Sequence, residues 1–164
     1  MAFDPSTYRE ILTNFPSGVA VVTAGDGSGD VFGLTVSAFC AVSVQPPLVL
    51  VCIDKNSATL PAIREHGGFT VNLLAAGREE VALRFASKGD DKFERVSWEP
   101  PPIPQGGPVL KEDSVGYAVC RNHAEIEGGD HWIFVGEVHD GAVHADAVPL
   151  VYGRRQFAAW DDVS

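Results

Sequence analysis

The sequence is poor in positive charge, and it contains no long apolar run. Its 164 residues include 12 Lys and Arg against 22 Asp and Glu, which gives a formal net charge of −10. Because this balance repels a polyanion, nucleic acid is excluded as an expected partner. No apolar stretch approaches the ~20 residues of a membrane span, and the N-terminus lacks the basic and apolar regions of a signal peptide. We therefore expect a cytoplasmic protein without a membrane partner.

Cysteine is also scarce. The three cysteines, Cys40, Cys52 and Cys120, are an odd number and lie far apart in the chain. This spacing matches neither a disulfide framework nor a pair of zinc ligands. We expect the three thiols to be reduced and at least Cys120 to pack as a small apolar side chain.

Metal-ligating residue types are concentrated in the C-terminal third, but their spacing matches no known metal motif. A zinc or iron site needs ligands that converge on one helix face or on close strand positions, with further residues that orient them. No two of these residues are separated by such an interval, so the sequence predicts no metal site. The residues concerned are His123, Glu125, His131, His139 and His144.

Short strands and tight turns dominate what the sequence does contain. Alternating or β-branched runs predict strands over 18–24, 31–36, 41–44, 48–53, 69–74, 115–126, 131–138 and 150–160. Helical spacing predicts three brief helices, over residues 5–14, 59–66 and 78–87. We expect the first to have Ser6 as its N-cap and to pack on the barrel, and the second to be capped by Ser57 or Thr59. This pattern indicates a mainly β protein built on an antiparallel barrel. No Gly-x-Gly-x-x-Gly lies between a strand and a helix, which excludes a Rossmann domain.

The length of the chain suits a single domain over residues 1–164. A chain of this size buries roughly 68–70% of its extended surface, so it needs no disulfides to hold a core. The segment 90–110 is rich in proline and glycine, but it is too short to separate two cores. We expect it to be an ordered loop that crosses one end of the barrel.

The stretch from Gly33 to Thr59 carries the strongest indication of a site. In a strand, Thr35 and Ser37 would place both hydroxyls on one face. After a proline corner and a second apolar strand, residues 56–59 supply hydrogen-bond donors at the start of a helix, where anions are favoured. Together the two segments indicate a ligand that has a polar ring edge and a phosphate.

Seven sequence segments, taken in order, resemble one known family along nearly the whole chain. They are 15–23 (FPSGVAVVT), 33–39 (GLTVSAF), 46–48 (PPL), 55–59 (KNSAT), 69–72 (FTVN), 84–86 (RFA) with 91–93 (DKF), and 129–138 (GDHWIFVGEV). No single segment is specific, but their joint order is. The chain resembles the short-chain flavin reductase family. This resemblance implies an FMN-binding split barrel of Greek-key type that forms a homodimer. It also implies that NADH or NADPH reduces FMN or FAD, often for release to a separate monooxygenase.

The resemblance also implies which residues bind the flavin. Thr35, Val36, Ser37 and Ala38 would lie at the polar edge of the ring, and Asn56, Ser57 and Thr59 would hold the phosphate. Lys55, Arg84 and Lys92 would supply positive charge, and Cys52, Phe85 and Phe93 would contact the cofactor. From the residues alone, other roles stay open: Ser57 and Thr59 as helix caps, Arg84 as part of a solvated face with Lys88, and Cys52 as a packing residue.

His131 is the candidate catalytic residue, because it follows a glycine turn and resembles the histidine beside the nicotinamide site of the family. A structural role for it stays open. Two further hypotheses concern the nicotinamide cofactor: residues 87–93 as a lid, and Arg154 with Arg155 as phosphate ligands across a dimer interface. Two alternatives to a flavin reductase also stay open. One is a flavoprotein that keeps FMN bound and acts on an organic substrate, and the other is a flavin-binding module without turnover.

Overall fold

Two antiparallel sheets form the fold in the computed structural model, which describes residues 3–163. The strands are β1 (Ser17–Gly18), β2 (Ala20–Ala24), β3 (Phe32–Val36), β4 (Phe39–Val44), β5 (Pro47–Asp54), β6 (Gly68–Leu74), β7 (Ser114–Gly128), β8 (His131–Val143), β9 (Leu150–Gly153) and β10 (Gln156–Ala159). Seven of them form one sheet in the order β3-β2-β6-β7-β8-β5-β4, and the other three form a small sheet in the order β1-β9-β10. The prediction of a mainly β, antiparallel protein is confirmed.

The seven-stranded sheet stays open between β3 and β4. These two strands are its outer members and are not paired with each other, although only Ser37 and Ala38 separate them in the chain. The barrel is therefore split on this side, as the resemblance implies. The opening leaves one edge of β3 without a strand partner within the described residues, and the candidate site lies there.

The strand boundaries differ from the prediction in the C-terminal half. β8 runs to Val143 rather than to residue 138, because its far end pairs with the start of β7 from Gly116 to Val119. Asp140 and Gly141 interrupt the apolar alternation there and conceal the strand from a pattern search. The predicted strand over 150–160 is two strands, β9 and β10, joined at Arg154 and Arg155, both of which have positive φ.

The described residues contain three α-helices, α1 (Pro5–Thr13), α2 (Thr59–His66) and α3 (Glu79–Ala86). The bounds of α2 agree with the prediction. Pro61 lies in its first turn, where a missing N–H breaks no helical hydrogen bond, and Gly67 ends the helix with a φ of 74° in the left-handed region. No helix in this part of the chain is long and apolar enough to cross a membrane.

Helix α1 contradicts two predictions. Its N-cap is Asp4, whose carboxylate accepts a hydrogen bond from the Thr7 N–H at 2.9 Å, and not Ser6. The helix was also expected to pack on the barrel, but it has no buried residue, and the large side chains of Tyr8, Ile11 and Leu12 are all more than half exposed. Apolar spacing predicts which face of a helix is apolar, but it does not show whether a partner surface lies within the same chain.

Buried polar side chains of β2 and β6 hold the proline-rich loop in place. Thr23 donates to the carbonyl of Pro108 at 2.6 Å, and Thr70 donates to the carbonyl of Gly107 at 2.8 Å. Asn72 accepts from the Leu110 N–H at 2.8 Å through its side-chain oxygen. All three side chains are fully buried, so these bonds satisfy polar groups that would otherwise be costly to bury. They support the expectation of an ordered loop across one end of the barrel.

Candidate active site

A cavity of about 900 Å³ opens at the split side of the barrel. Its walls come from β3 and the bend after it, the end of β5, the start of α2, the end of α3 with the loop that follows, and the first residue of β8. Most of the residues that the sequence singled out as cofactor-binding line this one cavity. They are Thr35, Val36, Ser37, Ala38, Cys52, Asn56, Ser57, Thr59, Phe85, Lys92 and Phe93, together with His131.

The β3 wall is formed by four consecutive residues, two in the strand and two in the bend. The strand ends at Val36, and Ser37 and Ala38 are exposed beyond it. Because the chain bends there, all four contribute to the wall, rather than only the two that carry hydroxyls. Thr35 donates its hydroxyl proton to the carbonyl of Ala82 at 2.6 Å, which ties β3 to α3 and leaves the hydroxyl oxygen able to accept from a ligand.

The start of α2 forms the opposite wall. The N-cap position is Ala58, so neither Ser57 nor Thr59 is the N-cap as predicted, although Ser57 Oγ accepts from the Thr59 N–H at 3.2 Å. Before it, Asp54 accepts from the Asn56 N–H at 2.7 Å and closes the turn. The Thr59 and Leu60 N–H groups are thus already bonded to Ser57, through its side-chain and main-chain oxygens, and Pro61 has no N–H. This end of the helix therefore offers a ligand mainly the polar side chains of Asn56 and Ser57.

Lys92 connects two elements at the cavity wall. Its Nζ donates to the carbonyl oxygens of Gly33 and Phe85, both at 3.1 Å. One carbonyl belongs to the outer strand β3 and the other to the last turn of α3, where carbonyls lack helical partners. Burial lowers the pKa of Lys92, and the charge of Asp90 acts in the opposite direction.

Phe85 and Phe93 pack on each other behind this wall. Their rings meet edge to face with centroids 4.9 Å apart, and Phe93 continues to Trp98 at 6.1 Å. A side chain at position 33 would meet the Phe85 ring at 2.7 Å, so only glycine fits there. Phe93 is therefore held in a core cluster, and the exposed part of the predicted lid is confined to residues 87–91.

His131 is the first residue of β8 and stands opposite Asp54 in the register with β5. Its Nδ1 lies 2.7 Å from Oδ1 of Asp130, and this hydrogen bond holds the pKa of Asp130 below its ordinary value. The imidazole side chain is 41% exposed and lines the cavity. With Nδ1 bound to the carboxylate, Nε2 is the nitrogen that remains for a ligand.

Cys52 faces the same cavity from β5. Burial raises the pKa of its thiol, so the side chain is a neutral thiol at neutral pH and not a nucleophilic thiolate. The thiol therefore contributes shape to the wall rather than charge.

Lys55 and Arg84 are not brought together with the other predicted residues. Lys55 does not line the cavity; it forms an ion pair with Glu127, and its Nζ lies 5.6 Å from the centroid of the Trp132 ring. Arg84 lies in the last turn of α3 and does not line the cavity. Arg154 is remote as well, since it donates to Asn14 at 3.1 Å beside the small sheet. Glu127 and Asn14, the partners of Lys55 and Arg154, are far from them in sequence, so the sequence alone did not indicate these contacts.

Three carboxylates in the cavity wall were missed. Asp30, Asp54 and Asp90 all line the cavity, and Lys88 lies beside them. Asp30 and Asp54 flank the strands predicted over 31–36 and 48–53, and Asp90 falls within the predicted lid, residues 87–93. The one available signal was position in the sequence: Asp54 adjoins the predicted phosphate-binding loop, Asp90 lies in the predicted lid, and Asp30 precedes the strand that carries Thr35.

Within residues 3–163, no group of three or more His, Cys, Asp and Glu side chains is placed to bind a metal ion. Histidines of the C-terminal third instead contact separate partners. His144, for example, lies 2.8 Å from the carbonyl of Ser114 through Nδ1.

Comparison with known proteins identifies relatives over nearly the full chain. A flavin reductase (NADH) from Kitasatospora aureofaciens is 44% identical over 158 residues, which cover 96% of this chain and 82% of the relative. A flavin reductase (NADPH) from Lentzea aerocolonigenes is 40% identical over 153 residues, covering 93% of this chain and 88% of the relative. Both chains are similar to this one well beyond the site.

The fold is shared with solved structures as well. The crystal structure of a nitrilotriacetate monooxygenase component B homolog from Mycobacterium thermoresistibile has a TM-score of 0.88 at 32% identity, covering 97% of this chain and 88% of that chain. The flavin reductase-like domain family matches residues 12–161, a range that includes every strand and every cavity-lining residue named above. The chain belongs to the flavin reductase-like domain family.

Proposed function

We propose that this protein is an NAD(P)H-dependent flavin reductase, which transfers hydride from NADH or NADPH to FMN or FAD. The observation that carries the proposal is the single cavity at the split of the barrel. It combines the bend after β3, the start of α2 and His131 in a chain of the flavin reductase-like family. These are the segments that a ligand with a polar ring and a phosphate requires.

The wall residues fit a flavin in two parts. Main-chain groups of residues 35–38 and the acceptor oxygen of Thr35 suit the polar edge of the ring, since β3 has no second strand partner in the described chain. Asn56, Ser57 and Thr59 at the start of α2 supply polar side chains for the phosphate, and Lys92 adds a positive charge in the cavity wall. Lys55 and Arg84 take no part in this arrangement.

The bound flavin supplies the hydride-accepting ring, and the protein supplies position and environment. The cavity must hold the nicotinamide against that ring and keep water out. His131 lines the cavity and is oriented by Asp130, so its Nε2 serves to orient the nicotinamide or to donate to the reduced flavin. Asp130 is then a positioning residue for His131.

The proposal also covers the oligomeric state, the partner protein and the cellular location. We expect a homodimer, supported by the outer edge of β4, which has no strand partner within the described residues, and by its exposed Val42 and Val44. We also expect a monooxygenase that receives the reduced flavin, in line with the component B homolog above. Residues 1–164 act as one domain with FMN or FAD and NADH or NADPH as small-molecule ligands, without nucleic acid or membrane. We place the protein in the cytoplasm, where both nicotinamide cofactors are available.

The test is flavin-dependent oxidation of NADH and NADPH, followed by the loss of nicotinamide absorbance with FMN, FAD and riboflavin. We expect turnover that requires added flavin, and a His131→Asn variant that lowers kcat at least about tenfold while the unfolding midpoint stays unchanged. A variant on the outer surface, His139→Asn, is the matched control. Absence of flavin-stimulated oxidation with either nicotinamide would contradict the proposal.

Dialysis and flavin-binding measurements, added to the oxidation assay, distinguish the two alternative functions. Flavin that survives dialysis, together with slow turnover of added flavin, would favour an enzyme that keeps FMN and acts on an organic substrate. Flavin binding without oxidation of either nicotinamide would favour a binding module without turnover.

A further inference from the structure

Two segments of the candidate site are joined to each other behind the cavity. His131 begins β8, and the turn over residues 54–57 leads into α2. Both contribute side chains to the cavity, and Asp54 stands opposite His131 in the register between β5 and β8. One residue further on each side, the Lys55 N–H donates to the carbonyl of Asp130 at 3.0 Å. This junction sets the separation between the segment proposed for the flavin phosphate and the residue proposed for the nicotinamide.

Trp132 lies next to this junction but outside the cavity lining. It follows His131 in β8, and successive side chains of a strand point to opposite faces. Trp132 is paired with Ile53 of β5 and with Glu127 of β7, and its ring is partly buried against the apolar core. It therefore stands between the strand that leads into the turn before α2 and the strand that leads up to His131.

Two cations lie over the Trp132 ring. The Nζ atom of Lys55 is 5.6 Å from the ring centroid, and the Cζ atom of Arg64 in α2 is 4.8 Å from it. Both distances are within the range of a cation–π interaction. Each cation also forms an ion pair with a carboxylate of β7: Lys55 with Glu127, and Arg64 with Glu125, whose Oε1 accepts from Arg64 Nε at 2.8 Å. The ring thus contacts the turn before α2 and the helix itself.

The two ion pairs are too exposed to hold these elements by themselves. The side chains of Lys55 and Glu127 are 32% and 64% exposed, and those of Arg64 and Glu125 are 43% and 30% exposed. Ion pairs at such exposure contribute little, and salt screens them. A large, partly buried ring gives the long cationic side chains a surface to pack on and fixes their position. Trp132 is therefore the member of the group on which the others depend.

From this arrangement we infer that Trp132 is a positioning residue for hydride transfer, which holds the turn before α2 and His131 at a fixed separation. Lys55 and Arg64 act on the ring of Trp132 and not as ligands of the flavin phosphate. The inference rests on the proposed function and adds a residue outside the cavity lining. A misplacement of about 1 Å can lower the rate of a reaction about a hundredfold, so loss of the ring should appear in kcat.

The first experiment compares Trp132→Leu with Trp132→Phe in flavin-dependent oxidation of NADH and NADPH. Phenylalanine keeps an aromatic ring for the two cations, whereas leucine removes it. Phe157→Leu is the matched control, because Phe157 is also partly buried but packs on Tyr152 in the small sheet, outside the cavity lining. We expect Trp132→Leu to lower kcat about tenfold, Trp132→Phe to stay within about threefold of the unmodified enzyme, and Phe157→Leu within about twofold.

A double-mutant cycle distinguishes positioning from a general loss of structure. If Trp132 acts through His131, the tenfold effect of Trp132→Leu should shrink to less than about twofold once His131→Asn is present. A residue that only stabilises the fold would lower kcat by the same factor in both backgrounds. Amide exchange gives a second readout that does not depend on activity. The Lys55 N–H should exchange at least about tenfold faster in Trp132→Leu, while the β6 amides keep their protection.

A second set of variants keeps the test valid if the leucine variant folds poorly. Lys55→Met with Arg64→Met removes both cations but keeps long side chains, and neither side chain is buried. We expect kcat to fall about threefold, this effect to disappear in the His131→Asn background, and the affinity for FMN to stay within about twofold. Lys111→Met with Arg121→Met removes the same charge from exposed positions outside the cavity lining and should change neither quantity.

The inference is overturned if Trp132→Leu keeps full kcat, if its effect multiplies with that of His131→Asn, or if exchange of the Lys55 N–H is unchanged. It is also overturned if Lys55→Met with Arg64→Met weakens FMN binding about tenfold, as loss of direct phosphate ligands would. If the unmodified chain oxidises neither nicotinamide with any flavin, the proposed function fails and the inference falls with it. If the unmodified chain is active but the cycle shows no coupling, the reductase stands and only the role of Trp132 is wrong.

Discussion

At the scale of single residues, the site depends on side chains that satisfy main-chain groups as well as on those that would touch a ligand. Lys92 bonds the carbonyls of Gly33 and Phe85, and Thr35 bonds that of Ala82. These contacts fasten the outer strand β3 to α3. A strand edge that is fastened in this way keeps its remaining polar groups in place for a ligand.

Replacing Lys92 by methionine tests this role. Two partly buried carbonyls would lose their donor, so we expect the free energy of unfolding to fall by about 1–3 kcal/mol and the affinity for FMN to fall with it. Urea titration and quenching of flavin fluorescence measure the two effects. Lys88→Met is the control, because Lys88 lines the same cavity but makes no such bonds. Equal behaviour of the two variants would contradict the role.

Asp113 provides a pH-dependent prediction. It is nearly buried, and burial raises its pKa above the ordinary value even though Arg78 lies 3.2 Å away and acts in the opposite direction. A carboxyl whose pKa is higher in the folded state binds protons more tightly there, so stability falls as pH rises from its unfolded pKa through its folded pKa. At neutral pH, the ionisation of Asp113 therefore lowers the stability of the folded state relative to the unfolded state.

We therefore expect Asp113→Asn to be at least as stable as the unmodified chain at pH 7, with the difference disappearing near pH 3, where both side chains are neutral. Urea midpoints across this range measure it. Glu65→Gln, at an exposed position of α2 whose charge does not act on Asp113, should show no such pH-dependent gain. A loss of stability in Asp113→Asn at pH 7 would mean that the ion pair with Arg78 outweighs the cost of burial.

At the scale of elements, the buried side chains of β2 and β6 determine the path of the long proline-rich loop. Asn72 accepts from the Leu110 N–H and donates to the carbonyls of Val21 and Pro108. Proline removes N–H donors from this segment, so its remaining polar groups need partners from outside it. The sequence could predict an ordered loop, but not which strand would hold it.

Asn72→Ala would leave the Leu110 N–H without a partner in the core. We expect the free energy of unfolding to fall by about 1–3 kcal/mol, because a buried donor without an acceptor bears its full desolvation cost. Chemical denaturation measures the change. Gln156→Ala, on an exposed position of β10, should stay within about 0.5 kcal/mol. A similar result for both would show that water replaces the amide.

Sequence-based prediction succeeded where local patterns determine the structure and failed where contacts distant in sequence do. Local patterns were sufficient for α2, whose proline and glycine fix both ends, and for the strands that alternate regularly. They failed for the far end of β8, where pairing with β7 outweighs weak local preference, and for the cap of α1, where three polar residues compete. In the site, the predicted backbone segments line one cavity, whereas Lys55 and Arg84 do not line it, because the direction of a long side chain depends on partners distant in sequence.

At the scale of the whole molecule, several large apolar side chains remain on the surface of the described chain. Val44 at the end of β4 is 93% exposed, and α1 presents Tyr8, Ile11 and Leu12. An outer strand with apolar side chains and unpaired main-chain groups is a common site of association. We expect β4 to lie in the dimer interface.

Sedimentation equilibrium should therefore report twice the chain mass of 17.5 kDa. Val44→Lys should weaken the dimer by about tenfold or more, because a charge would be buried in an apolar contact. Ala145→Lys, on the exposed β8–β9 loop, is the control. A monomer at micromolar concentration, or a dimer unaffected by Val44→Lys, would contradict this interface.

The manner in which α1 is attached has a consequence for its motion. No side chain of the helix is buried, and its end is held by the Arg154 N–H, which donates to the carbonyl of Thr13 at 2.6 Å. A segment held at one end opens with a small free energy and independently of global unfolding. In deuterium exchange, its amides should label long before those of β6 and β7, and clipping it with protease should leave the remaining fragment able to bind flavin.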